Sequence, residues 1–437
     1  MLPFAAIDTG DTAWVLVSAA LVLLMTPGLA LFYGGMVRAK SVINMMLMSL
    51  VTLTVVSAIW VLFGYDLAFG DSGSSIIGSI GFSDLANLIG RLTNNGGEYG
   101  VPELAFSGFQ LMFAIVTVAL ISGAVADRAR FAAWTVFAGA WLTFVYLPVA
   151  HWVFDFGTKT GDQITGAGWL ASRGLLDFAG GTVVEVNAGV AGLVMSIIVG
   201  RRVGFKKEPM RPHSLPLVVL GAGLLWFGWL GFNAGSALGA NDLAALVLMN
   251  TQVAGAAGIG SWLLVERYRD GHPTGLGAAS GAIAGLVAIT PSCAFVTPTG
   301  ALIIGLVAGV ISSYGIGLKY RFDVDDSLDL VGVHLISGIW GTLAIGLLGT
   351  TAVNAAGGDG LLHGGGIALL QTQGFGVVSV LLYSALVTAG LGLLVDRFIG
   401  FRIDRDAEIE GIDFVEHAES AYELDTRTGA GRFSGSH

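Results

Sequence analysis

Charge and sulfur are what this 437-residue sequence has least of. It holds a single cysteine, Cys293, which excludes an intramolecular disulfide and any CxxC metal site. Only 12% of the residues are charged, against about 25% in an ordinary soluble domain, so polar surface is too scarce to cover a water-exposed globule. There is no block of lysine and arginine and no basic–aromatic ribbon, and with a net charge of −10 this argues against nucleic acid as a partner. Neither a nucleophile–base motif, a phosphate-binding loop nor a metal-ligand spacing occurs, which argues against an enzyme and against a cofactor. No basic leader and no small-residue cleavage site precede the first apolar stretch, so a removed signal peptide is not expected.

What fills the chain instead is hydrocarbon and glycine. Hydrophobic residues make up 54% of it and glycine accounts for 66 positions, well above the usual ~7% for glycine; small residues let membrane helices approach closely. About 20 apolar residues cross a bilayer core, and eleven stretches qualify: 12–36, 41–69, 104–126, 131–153, 178–199, 214–236, 243–265, 275–296, 299–318, 328–350 and 374–396. The expected fold is an all-α membrane protein of eleven transmembrane helices. Residues 1–397 would form the membrane domain and 398–437 a cytoplasmic tail with room for a short helix or a docking strand.

Lysine and arginine set the orientation. With the N-terminus outside and the C-terminus inside, only Arg91, Lys159 and Arg173 of the 21 basic residues fall in outer loops. The opposite topology inverts that bias. Five segments, five more and a last one also fit an inverted repeat, the plan of many transporters. One echo supports it: segments five and ten each begin near an aspartate, Asp177 and Asp329, and each buries one titratable residue, Glu185 and His334.

Glu185 lies eight residues past Asp177, about 12 Å deeper at 1.5 Å per residue. His334 lies five residues past Asp329, roughly 7–8 Å in from the other side. An acid facing lipid at the midplane costs about 2.5–3.5 kcal/mol or more, so Glu185 must face protein or a pore. Gly181, Gly189 and Gly192 give its helix a smooth face, and Gly338 and Gly341 do the same for His334. A structural hydrogen bond that only fixes helix packing is one reading. A Glu–His couple is the other: neutral acid with neutral imidazole, or carboxylate with imidazolium, hold one proton and no net charge. Such a couple passes a proton internally without exposing charge to a low dielectric.

The segments "ALFYGGMVR" (30–38), "FQLMFAIVT" (109–117), "LDFAGGTVV" (176–184), "GFNAGSA" (231–237), "ITPSCAFV" (289–296), "DDSLDLVGVH" (325–334) and "EGIDFVEHAESAYE" (410–423) together resemble the Amt/Mep branch of the Amt/Mep/Rh ammonium transporter superfamily, in order and over essentially the whole chain. The resemblance implies a homotrimer with one pore per subunit in the cell membrane, passing ammonium or ammonia. It implies that Phe113 and Phe232 are the stacked rings closing the pore, that Ser236 hydrogen-bonds ammonium at an outer site, that Asp177 supports that site from behind, and that His334 is the second member of a pore histidine pair. It also implies a tail packed across the inner face and capped by a trimeric P-II-type signalling protein. Two positions depart from the common pattern. Glu185 stands where most bacterial members have histidine, similar to a variant in some fungal and microbial relatives, and this bears on pH dependence and ion selectivity. Phe154, in "HWVF", stands where an outer-site tryptophan is usual; a phenyl ring has a weaker cation–π face and no N–H, so weaker capture of ammonium at the outer site, or help from Trp152 or Trp169, is expected. The alternative reading of the function is an ammonium sensor signalling through a P-II-type partner with little flux. A symporter using Glu185 as a cation site is weakened by the absence of carboxylates and hydroxyls around it.

Overall fold

A computed structural model describes residues 6–71, 74–82, 84–93, 99–160 and 163–422. Ten of its helices are long and apolar enough to cross a membrane. We number them in chain order as α1 (Thr9–Met36), α2 (Val42–Phe69), α3 (Glu103–Val125), α4 (Phe131–Phe154), α5 (Gly181–Val199), α6 (Leu215–Gly235), α7 (Asp242–Arg269), α9 (Pro298–Phe322), α10 (Val331–Leu348) and α11 (Ala368–Phe398); the shorter apolar helix Gly275–Ile289 between α7 and α9 is α8.

The helices start where the sequence supplies caps. Asp8, Asn241, Thr274 and Thr297 each accept a backbone N–H from the first turn of α1, α7, α8 and α9, and Pro298 follows the last of these. Segment eight is shorter than its apolar run of 275–296 because the chain leaves the helix at Ile289 and continues as buried turns. Irregular backbone at membrane depth is tolerated only when protein satisfies it. Here Asn250 on α7 does so, its Nδ2 donating to the carbonyls of Cys293 and Val296, both at 2.8 Å.

Helix position follows from how much of each is covered. Of its apolar window, α5 buries 78% and α10 67%, whereas α2 and α11 bury 28%, so the helices bearing Glu185 and His334 are central and α2 and α11 are peripheral. Helices α1 and α6 pack closely against each other at their glycines. A Cβ on Gly221 would lie 2.3 Å from the Phe32 nitrogen, and one on Gly228 would lie 2.7 Å from the Leu21 carbonyl oxygen. The glycine faces read from the sequence also meet their partners: a Cβ on Gly189 would strike Leu335 backbone, and one on Gly338 would come within 2.8 Å of the Glu185 Cβ.

After α11 the chain turns under the bundle as two short helices, α12 (Arg405–Glu410) and α13 (Ile412–His417), preceded by a bridge between Arg402 and Ala129. This is more than a solvated tail. The Asp413 carboxylate accepts the Ile43 and Asn44 backbone N–H groups at 2.9 and 2.8 Å, capping α2. Glu416 accepts the Phe131 N–H at 3.1 Å, and His417 Nε2 sits 2.9 Å from Asn44 Oδ1. Tyr422 reaches His213 at 2.9 Å. Residues 423–437, including Arg427 and Arg432, lie outside the described residues.

Candidate functional site: a buried acid–imidazole couple in a narrow pore

The acid is placed by a broken helix start. Gly180 holds φ +121°, a conformation that favours glycine, and the chain then winds as a π-turn over Gly181–Val186. Asp177 stabilises this start: its Oδ1 accepts the Gly180 and Gly181 N–H groups at 2.8 and 2.7 Å, and its Oδ2 accepts the Thr182 N–H at 2.7 Å. Asp177 is thus a buried cap of α5. α10 repeats the device, with a π-turn over Val331–Leu335 whose first N–H, from Val331, donates to Asp326 Oδ2 at 2.7 Å. The acid that matches Asp177 in this device is therefore Asp326, not Asp329 as the sequence reading had it. Asp326 precedes His334 by eight residues, just as Asp177 precedes Glu185. Asp329 instead pairs with Lys319 at 2.6 Å.

The two π-turns bring Glu185 and His334 together. Glu185 Oε2 and His334 Nδ1 are 2.7 Å apart, and both residues are buried, 1% and 4% exposed. At that distance the two atoms are hydrogen-bonded. The second carboxylate oxygen, Oε1, has no hydrogen-bond partner. The couple borders a cavity of about 10 Å³ whose other walls are apolar, among them Met25, Leu29, Val116, Leu225 and Ile283. Such a volume admits about one water-sized molecule.

Toward the face that carries the N-terminus, this cavity is closed by Phe113 on α3 and Phe232 on α6, stacked with centroids 4.1 Å apart and planes 28° from parallel. Phe109 buttresses Phe113 edge-on at 4.8 Å. Beyond the rings opens a vestibule of about 430 Å³ whose lining includes Phe106, Phe109, Gln110, Phe154, Phe178 and Ser236. The Ser236 hydroxyl donates to the Phe232 carbonyl oxygen at 2.9 Å, which leaves its lone pairs to accept from a guest. Phe113, Phe154 and Ser236 line this vestibule, and Phe232 stacks on Phe113 at its inner end. Neither Trp152 nor Trp169 joins them: Trp152 donates its indole N–H to the Ile76 carbonyl at 2.8 Å and packs against Trp169 and Tyr383.

At the opposite end a vestibule of about 760 Å³ is lined by residues including Met36, Lys206, Ile316, Lys319, Leu328 and Asp329. Behind it lies a charged girdle that sequence reasoning missed, because Arg128 and Arg202 were read only as markers of orientation. Arg202 is bidentate to Asp325, at 2.9 Å to Oδ2 and 2.7 Å to Oδ1, and also reaches Asp127 at 3.0 Å. Arg128, fully buried, donates to the carbonyls of Gly200, Ala126, Ala124 and Asp325 and to the Ser327 hydroxyl. Burial pushes the Asp127 and Asp325 carboxyls up, but Arg202, together with Arg38 and Ser41 at Asp127 and with Arg128 at Asp325, outweighs it and both end below the usual carboxylate range. Glu408 of the tail joins this girdle, accepting the Val203 N–H at 2.6 Å and pairing with Arg402 at 2.7 Å. The only sequence signal was the "DR" and "DD" steps at positions 127–128 and 325–326, charged pairs next to apolar runs.

The family profile described as Ammonium Transporter Family matches residues 13–422. The chain belongs to the ammonium transporter family. Relatives include an ammonium transporter of Mycobacterium tuberculosis, 52% identical over 442 aligned residues that cover 97% of this chain and 92% of the relative. Ammonium transporter Amt1 of Archaeoglobus fulgidus is 42% identical, covering 94% of this chain and 99% of that one. Among solved structures, Saccharomyces cerevisiae Mep2 superposes with a TM-score of 0.82 at 34% identity, covering 92% of this chain and 88% of the other. A structure described as a sensor Amt protein gives 0.83 at 28% identity, covering 93% and 98%. As a member of this family the chain is a multi-pass membrane channel or transporter for ammonium rather than an enzyme.

Proposed function

We propose that this ammonium transporter captures ammonium in the vestibule beside Ser236 and Phe154, passes it beneath the Phe113–Phe232 rings, and conducts ammonia past the Glu185–His334 couple. One observation supports the reading: an apolar cavity of about 10 Å³ is bordered by one protonatable couple, 2.7 Å apart, directly behind a stacked pair of phenyl rings. Ammonium brings four N–H donors and a positive charge. Aromatic faces stabilise such a cation by about 2 kcal/mol or more when desolvated, and Ser236 accepts one of its hydrogen bonds. Beyond the rings a bare charge meets hydrocarbon walls at great cost. Loss of the proton lowers that barrier, and the couple holds the proton without net charge. Potassium and sodium have no proton to give up, so the same step selects against them.

In this reading α8 and the buried turns after it complete eleven crossings. The Ser236 vestibule faces outward and the docked tail lies in the cytoplasm, as the basic residues require. The protein works in the cell membrane as a homotrimer with a pore in each subunit, and its tail face receives a P-II-type partner. The sensor reading draws support from the likeness to a sensor Amt protein. An ammonium jump applied to proteoliposomes on a solid-supported membrane, with a pH dye inside, tests transport directly. The expected result is an ammonium-specific change in internal pH, with a sustained current if the proton crosses. Silence in both channels removes the transport reading and leaves sensing.

A further inference from the structure

The Ser236 vestibule is walled by rings, and most of them are spent on one another. Tyr65 and Phe69 lie 5.6 Å apart, and Phe69 meets Phe106 edge-on at 5.3 Å. Phe109 buttresses Phe113 at 4.8 Å, and Phe178 meets Phe295 at 5.9 Å. Among the described residues, only Phe154 and Phe156 border the vestibule with a ring that touches neither another ring nor a cation. Phe154, the last residue of α4, is half-buried, whereas Phe156 is 65% exposed. A lone exposed phenyl is ordinary on a protein surface, but these two stand on the wall of one cavity and are two residues apart.

The local chain holds Phe156 in place. Asp155, between the two phenyls, turns its carboxylate back: Oδ1 accepts the Gly157 N–H at 2.8 Å, and Oδ2 lies 3.2 Å from His151 Nδ1. Gly157 takes φ +72°, which bends the chain just after Phe156. The Gly168 N–H then donates to the Asp155 carbonyl oxygen at 2.8 Å, closing the loop 155–168 at its base. His151 is itself anchored, with Nδ1 2.9 Å from the Ala68 carbonyl oxygen and Nε2 3.1 Å from that of Ser74. The charge on the wall suits a cation. Its acids are Asp71, Glu103 and Asp155, and its one base among the described residues, Arg91, pairs with Glu103 at 2.8 Å. At about 430 Å³ the vestibule has room for an organic cation, whereas the cavity of about 10 Å³ behind the stacked rings does not.

We propose that Phe156 and Phe154 form a cation station in this vestibule, that it binds quaternary ammonium ions which the pore does not pass, and that Phe156 sets its affinity. The chemistry follows from the free faces. A quaternary ammonium has no N–H to donate to the Ser236 hydroxyl and no proton to leave behind; aromatic faces are what recognise such an ion. Ammonium uses the same faces and adds its hydrogen bond to Ser236, so the two ions compete. The station extends the capture step and, for its place in transport, rests on the transport reading above.

Full-length protein in proteoliposomes, with the Ser236 vestibule facing the bath, is given ammonium as the transported ion and tetramethylammonium as the probe. In the wild type, tetramethylammonium is expected to raise the half-saturating ammonium concentration and to be overcome by excess ammonium. Phe156→Leu keeps an apolar side chain and removes the ring. It is expected to weaken inhibition by tetramethylammonium about two- to fivefold, the worth of one cation–π contact at an exposed site. Half-saturation by ammonium should rise by a similar factor, with little of the effect falling on maximal flux. Phe156→Trp, with the stronger face, should move both constants the other way. A wild type indifferent to tetramethylammonium overturns the proposal. So does a Phe156→Leu protein inhibited like the wild type, or one whose only defect is a lower maximal flux. Calorimetric titration of the full-length protein in detergent with tetramethylammonium reads the station without flux. Binding that Phe156→Leu weakens, in a protein that moves no ammonium, supports the station and overturns the transport reading instead.

Discussion

Replacing Glu185 with glutamine isolates the proton from the shape. The glutamine side chain fills the same space beside His334 and still offers a carbonyl oxygen or an amide to Nδ1, so the pore and the packing against Gly338 are preserved. What is lost is the ability to neutralise an imidazolium. In the wild type, a proton arriving on His334 is met by a carboxylate 2.7 Å away; in the variant the same proton creates an uncompensated charge in an apolar cavity of about 10 Å³. A hydrogen bond to a charged partner is worth about 1.5–3 kcal/mol. At 1.36 kcal/mol per decade, its loss slows proton-dependent transport by about ten- to a hundredfold. The assay is ammonium-jump current on a solid-supported membrane with an internal pH dye in the same vesicles, wild type and Glu185→Gln side by side at matched protein density. If ammonia crosses without its proton, current is absent in both and the dye signal falls in the variant. Wild-type values of both signals in Glu185→Gln would falsify the relay.

Two further outcomes follow from the packing and the girdle. Arg202→Met leaves Asp127 and Asp325 buried without their main partner and is expected to cost about 3–5 kcal/mol, read as a lower unfolding midpoint in detergent. The pH dependence should also reverse: the wild-type carboxyls lie below their ordinary value, so their contribution is complete above about pH 4 and lost only as pH falls through the depressed values. In Arg202→Met the same buried acids are raised, so acidification should stabilise the variant relative to neutral pH, and a parallel decline with the wild type would refute the assignment. Gly338→Ala sets a methyl 2.8 Å from the Glu185 Cβ; overpacking of this kind costs about 1–3 kcal/mol and should cut flux by displacing the couple, whereas unchanged flux would mean the couple tolerates misplacement.

Much of the fold could be read because hydrocarbon thickness imposes its length on every crossing. Ten of the eleven apolar stretches correspond to helices long enough to span, and their ends agree to within a few residues. The exception, 275–296, was apolar throughout, yet its helix ends at Ile289; hydropathy reports burial and is blind to whether buried backbone is helical. The meeting of Glu185 with His334 was legible because an ionisable residue in an apolar run needs a partner. The match of Asp326 to Asp177 was legible too, since each precedes its titratable residue by eight positions, but Asp329, closer to His334, drew the assignment instead. The girdle around Arg128 and Arg202 was hidden. Counting positive charges assigns a side of the membrane, but it does not show which of those charges the fold will swallow.

The glycine seam between α1 and α6 limits what can move. With a Cβ on Gly221 or Gly228 brought to 2.3–2.7 Å from atoms of α1, the two helices meet with main chain against main chain at Gly221 and main chain against the Met25 side chain and the Leu21 carbonyl at Gly228, which leaves little room for one to slide on the other. Sliding or rocking one half on the other would have to pull apart backbones in van der Waals contact and open a void between them. The protein is then a fixed frame with small moving pieces, a pair of phenyl rings and a proton, and not a set of jaws. A covalent bridge across the seam, near Gly28 and Leu224, should leave ammonium flux as it was; a bridge that stops it would show that the frame has to flex.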